Sequence, residues 1–271
     1  MYENLKEKAA QIRRDTLEEI FEAKSGHPGG SLSATEMLVA LYYNKLQNLD
    51  PQNPQKSDRD RFVLSKGHAC PALYAILADK GYFPKEELHT LRSFGSRLQG
   101  QPDRKKTPGV DACAGSLGQG LSVAVGMALG AKQRGDALQV YAMVGDGEMQ
   151  EGQIWEALLF AAHHKLDNLT MLVDNNGIQL DGTNDEVISM SSIADKMRAF
   201  NFETIELDDG HDFAQILPAL DAPHNGMPKA IVAHTVKGKG VSFMENTCKW
   251  HGTAPNHDQL EEALKEIQYT E

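Results

Sequence analysis

Cysteine is scarce: Cys70, Cys113 and Cys248 are the only three, widely separated and odd in number. That excludes a disulfide-stapled scaffold and a metal-finger spacing, and it suits a reducing compartment. Positive charge is also short, with 27 Lys and Arg against 38 Asp and Glu, a formal net charge of −11. The nearest thing to a basic stripe is Arg104-Lys105-Lys106, so no nucleic-acid partner is expected. No apolar stretch approaches the roughly 20 residues of a membrane-spanning helix, and the start, MYENLKEKAAQIRRDTLEEI, is charged and helical in pattern rather than a signal peptide. A cytoplasmic location and no membrane contact are therefore expected. Repeats, low-complexity tracts and linkers are missing too, so residues 1–271 are read as a single domain.

What is present centres on VGDGEMQEGQIWEALLFAAHHKLDNLTMLVDNNG, from Val144 to Gly177. An apolar run over Val140 to Val144 stops at Gly145-Asp146-Gly147. An amphipathic segment follows, and a second apolar run, Leu169 to Val173, stops at Asp174-Asn175-Asn176-Gly177. Two short apolar runs around a helical pattern predict a βαβ unit of a parallel sheet, in which ligands bind beyond the carboxyl ends of the strands. Those ends carry the Asp146 carboxylate and the Asn176 amide. One carboxylate and one amide are too few to cage calcium and suit magnesium, which takes its remaining ligands from water and phosphate. Gly145 and Gly147 leave room for a bulky phosphate. Each piece alone is ordinary turn chemistry; paired on one βαβ unit, they point to a metal-bridged diphosphate.

Further strands are expected at Arg61 to Ser65, Thr204 to Leu207 and Lys229 to His234. Helices are expected near Glu3 to Lys24, from Ser33-Ala34-Thr35-Glu36 (a capping box) to Leu46, and from about Ala69 to Lys80. Others are read at Leu121 to Gln133, Ile193 to Phe200, Asp212 to Leu220 and Asp258 to Ile267. About five strands alternating with helices make an α/β fold, an open, mainly parallel sheet flanked by helices. His27 sits in a bare loop, Ser25-Gly26-His27-Pro28-Gly29-Gly30, and such histidines more often only turn with the chain. His68 follows a strand end, where it either meets a ligand or caps and packs. Gly115-Ser116-Leu117-Gly118-Gln119-Gly120 opens a small-residue helix, offering amides to an anion or close helix packing. Thr235-Val236-Lys237-Gly238-Lys239-Gly240 lacks phosphate-loop spacing and is read as a mobile connection over the site.

Taken jointly, SGHPG, DRDRFVLS-x-GH, G-x-LGQG, GDG through NN, and HG-x-AP resemble the transketolase family from the first helix to HGTAP. The resemblance implies the thiamine-diphosphate-binding fold of that family's diphosphate (PP) domain. It implies that Asp146, Asn176 and the Ile178 carbonyl hold Mg2+ or Ca2+ against thiamine diphosphate, with Gly147 along the diphosphate. His27 would touch the sugar, His68 the cofactor phosphate, and His251 both diphosphate and substrate; these three are the expected catalytic residues. Gly115 and Leu117 would line the cofactor. Glu151, and Glu156 with it, would join a polar network between two active sites across a dimer interface; for Glu156 a solvated helix face is the alternative. One departure stands out: Gln101 occupies the place where the family pattern has a histidine, and an amide cannot carry a proton or a positive charge near neutral pH.

The activity implied is transfer of a two-carbon ketol unit from a ketose, by default a phosphorylated sugar, to an aldose. Family members continue through a pyrimidine-binding and a C-terminal domain. The chain is accordingly expected to act with a partner subunit carrying those domains, as a dimer of heterodimers, and to be nearly inactive alone. The alternatives are a subunit of a deoxyxylulose-phosphate synthase-like or 2-oxoacid-decarboxylating enzyme, and a non-catalytic cofactor-binding relative.

Overall fold

A computed structural model describes residues 2–267; Met1 and 268–271, which the single-domain expectation includes, lie outside the described residues. Five strands, β1 (Arg61–Leu64), β2 (Val140–Gly145), β3 (Leu169–Asn175), β4 (Glu203–Leu207) and β5 (Lys229–His234), form one sheet. Their order is β1-β2-β3-β5-β4, and every pairing is parallel. The central strands β2 and β3 are buried on both faces and read as mainly apolar runs, whereas the edge strand β4, ETIEL, is largely half-buried and carries Glu203 and Glu206. Along β2, Val140, Ala142 and Val144 enter one core with α5 (Gln119–Arg134), α6 (Gly152–His163) and α8 (Ile193–Ala199). Tyr141 and Met143 enter the opposite core with α1 (Tyr2–Ala23), α3 (Thr35–Ala40), α4 (Cys70–Asp79) and α9 (Phe213–Asp221).

A third cluster ties the last segment to the first. Leu17 of α1 and Leu32 of α2 (Pro28–Ser33) pack with Val241, Met244, Trp250 and, from α10 (His257–Glu266), Leu260. This packing returns the C-terminal stretch to the edge of the sheet where β2 and β3 end. A short helix, α7 (Asn184–Ile188), follows β3 behind a capping box of Thr183 and Glu186. Among the described residues no helix is long and apolar enough to cross a membrane.

The strand and helix expectations lie close to the observed elements, but the second helix differs. It begins at Pro28, whose missing N–H costs nothing at the first helical position, so the bare loop ends at His27. The Ser33-to-Glu36 capping box does not form. Ser33 Oγ donates to Asp174 across the sheet at 2.6 Å, and the Glu36 carboxylate is held by the Arg13 guanidinium at 2.5 and 2.6 Å. A charged hydrogen bond outcompetes a cap. The helix runs on as α3 and then widens into a π-helical segment, Leu41–Lys45.

Candidate active site

The register that pairs Gly145 with Asp174 brings the ends of β2 and β3 side by side. Asp146 is 3% exposed, and its carboxylate accepts from the Gly147 N–H at 2.7 Å and the Gly177 N–H at 2.5 Å. Burial, then the neighbouring Asp174 carboxylate, pushes its pKa up, and the two amides only partly offset this. Among the described residues no side-chain cation bonds to it directly; each oxygen keeps a lone pair for a further partner. Asn176 lies two residues beyond Asp174, and the Ile178 carbonyl follows. Among the described residues no group of three His, Cys, Asp or Glu could cage a metal by itself. A buried carboxylate with an amide and a carbonyl oxygen therefore fits a hard cation that draws its other ligands from water and phosphate.

Asp174, fully buried, anchors the floor. It accepts from Lys66 Nζ, from Ser33 Oγ and from Thr235 Oγ1. Burial alone would raise its pKa, but the Lys66 ammonium outweighs that and holds it below the usual carboxylate range. Lys66 Nζ also donates to the Gly30 carbonyl at 3.0 Å. Glu148, 3% exposed, joins three segments: it accepts from Ser65 Oγ at 2.5 Å, Gly118 N–H at 2.8 Å and Gly145 N–H at 3.1 Å. The glycine-rich loop can approach because a Cβ on Gly120 would stand 2.7 Å from the Ser65 backbone. The loop shows the close packing at Gly120, and Gly115 and Leu117 line the cavity.

His27, His68 and His251 come from three separate segments and meet above this floor. Their ring centroids are 5.3 Å (27 to 68), 5.5 Å (27 to 251) and 5.2 Å (68 to 251) apart. Burial first, then Arg92 and Lys237, lowers the His27 pKa to about 4. Burial and Lys237 bring His251 to about 3, and burial with Lys66 holds His68 well below its ordinary value. The rings are therefore neutral hydrogen-bonding groups near pH 7, and the positive charge of the site resides on lysines. Lys237, 2% exposed, sends its Nζ to the Ile178 carbonyl at 2.7 Å, the Gln179 carbonyl at 3.3 Å and His251 Nδ1 at 2.9 Å. Burial and then Lys66 lower it to about 8.

These groups enclose a cavity of about 310 Å³ at the carboxyl edge of the sheet. His27, His68, His251, Gly115, Leu117, Asp146, Gly147, Asn176 and Ile178, all singled out from sequence, line it. Glu151 does not: it is exposed at the N-cap position of α6, makes no side-chain capping bond, and packs its Cβ near Gly118. Glu156 is also exposed, on α6. Gln101 lines the wall, its buried Oε1 unpartnered among the described residues and 2.6 Å from where a Cβ on Gly67 would be. Sequence reasoning missed Lys66, Glu148, Asp174 and Lys237. Their one signal was position, each standing next to a motif residue at a strand end or in the loop after β5.

The sequence matches, over residues 5–270, the family described as transketolase, thiamine diphosphate binding domain. It is 41% identical to one of the subunits of apulose-4-phosphate transketolase from Phocaeicola vulgatus, covering 98% of this chain and 94% of that one. It is 44% identical to the 6-deoxy-6-sulfo-D-fructose transketolase subunit SqwG of a Clostridium species, over 98% and 96%. Among solved structures, transketolase from Campylobacter jejuni superposes with a TM-score of 0.91 at 33% identity, covering 97% of this chain and 42% of that one.

Proposed function

The chain belongs to the transketolase family, and from that premise we propose that it is the N-terminal, diphosphate-binding subunit of a two-chain transketolase. Residues 1–271 form one PP-type domain in this reading. Its reaction moves a two-carbon ketol unit from a ketose to an aldose, with thiamine diphosphate and a divalent metal, Mg2+ or Ca2+. The observation that carries the reading is the convergence, in one cavity, of three neutral imidazoles, two lysines and the Asp146, Asn176 and Ile178 oxygens. Relatives named as subunits match the chain nearly end to end, which supports a partner subunit; in this reading that subunit carries the pyrimidine-binding and C-terminal domains.

Bound thiamine diphosphate supplies a nucleophilic carbon and an electron sink for the two-carbon fragment. The chain's own residues do the positioning. Asp146, Asn176 and the Ile178 carbonyl would hold the metal, with Lys237 Nζ moving from that carbonyl, which it meets at 2.7 Å, toward the diphosphate; Lys66 and Lys237 would offset diphosphate charge. Gly115, Leu117 and Gly147 lie along the cofactor. His68 and His251 donate to phosphate oxygens, and His27 with His251 binds substrate hydroxyls and moves protons at its oxygens. Being neutral, each ring can donate from one nitrogen and accept at the other. The Gln101 amide hydrogen-bonds the sugar but moves no proton. The substrate is a ketose with an anionic end, phosphate or sulfonate, as the relatives' names suggest.

In the assembled enzyme Glu151 and Glu156 lie toward a second copy, in a dimer of heterodimers. The 62% and 44% exposure of Leu159 and Phe160 on α6 supports an interface on that face. The enzyme works in the cytoplasm. Asp146→Ala tests the core of the reading. Metal-dependent thiamine diphosphate binding should fall at least about 100-fold, since breaking a charged contact costs a few kcal/mol. Unchanged affinity by calorimetry would remove the proposed metal site.

A further inference from the structure

His211 lies outside the cavity, in the turn between β4 and α9, with its side chain 7% exposed. Gly210 lets that turn press on the end of β5: a Cβ there would stand 2.6 Å from the Thr235 side chain and 2.9 Å from Ala233. His211 Nδ1 is 2.8 Å from Glu36 Oε2, and its Nε2 is 2.8 Å from the Val236 amide nitrogen. Both neighbours dictate the proton's place. Burial alone would raise the Glu36 pKa, but Arg13 and then His211 outweigh it and bring it down to about 2, so Glu36 is an anion and only accepts. The Val236 N–H only donates. The ring is therefore neutral, with its proton on Nδ1 and a bare Nε2.

The residue after Val236 is Lys237. Other bonds hold the same segment: Arg13 Nε donates to the Lys239 carbonyl at 3.0 Å, and the Gly238 N–H donates to the Gly29 carbonyl at 3.0 Å. Arg13 and His211 thus grip the segment on both sides of Lys237, and both are coordinated through the one Glu36 carboxylate.

We propose that His211 is a positioning residue for the diphosphate: through Val236 it fixes the backbone from which Lys237 reaches into the cavity. This rests on the diphosphate reading of the cavity. His211 touches neither cofactor nor substrate, and its effect on binding passes through Lys237. The two residues are therefore energetically coupled in ligand affinity, as groups sharing one backbone anchor are.

The test is a double-mutant cycle on the full chain, titrated by calorimetry with inorganic pyrophosphate and Mg2+. His211→Phe keeps the ring's bulk and removes both hydrogen bonds; alone it should weaken pyrophosphate binding about tenfold. Lys237→Met should weaken it by as much or more. In the Lys237→Met background, adding His211→Phe should cost almost nothing further. Full additivity overturns the proposal, because a general structural defect would weaken binding with or without the lysine. Binding that ignores Lys237→Met overturns it too and leaves the diphosphate reading standing. No pyrophosphate binding by the unaltered chain sinks both. Should His211→Phe fail to fold, nitrogen-15 spectra of the unaltered chain decide: a protonated Nδ1 and bare Nε2 on His211 are expected, and the opposite tautomer refutes the proposal.

Discussion

At the scale of single residues, burial decides what a charged side chain means. Glu19 is 1% exposed, and neither carboxylate oxygen has a hydrogen-bond partner among the described residues. Burial, then the nearby Asp15, raises its pKa well above the ordinary value. A raised carboxyl pKa gives stability that is intact below the unfolded-state value and is lost as pH climbs toward the folded one. Glu19→Met should therefore stabilise the chain by about 1–3 kcal/mol at pH 7 and by less near pH 4.5. Denaturant melts at the two pH values read this out; a gap that does not widen with pH contradicts the assignment. Residues were also where the sequence was hardest to read. Lys66, Glu148, Asp174 and Lys237 are charged, and a sequence gives charge no depth. That all four are buried follows from partners distant in the chain: Lys66 bonds to Asp174 and Glu148 to Ser65. His27 and His251, by contrast, were legible only through their motif settings.

At the scale of elements, legibility followed from packing. β2 and β3 are buried on both faces, so their apolar runs end where the backbone leaves the sheet, at the turns that carry Asp146 and Asn176. The start of α2 and α3 escaped a local reading because capping competes with tertiary partners: Glu36 had Arg13, and Ser33 had Asp174. The entry to α5 rests on one close approach, Gly120 against the Ser65 backbone. Gly120→Ala would normally help a helix; here the clash should cost about 1–3 kcal/mol and loosen the Glu148 junction beneath the cofactor. A lowered denaturation midpoint with weaker thiamine diphosphate binding is the expected result. A more stable variant would show that the contact yields.

At the scale of the whole molecule, the proposed function makes the sheet half of an active site that a partner subunit completes. Ketol transfer should be undetectable with this chain alone and appear when a second chain bearing the pyrimidine-binding domain is added. Co-purification from the source cell followed by a coupled sugar assay measures this, and full turnover by the isolated chain would refute it. The cavity draws on segments scattered from His27 to His251, and the last of them is clamped to the first by Leu17, Leu32 and Trp250. A ribosome must therefore release residue 251 before any complete pocket exists. Cofactor capture is thus confined to the finished fold, and vitamin supply would govern how long mature chains survive proteolysis rather than how fast nascent ones collapse.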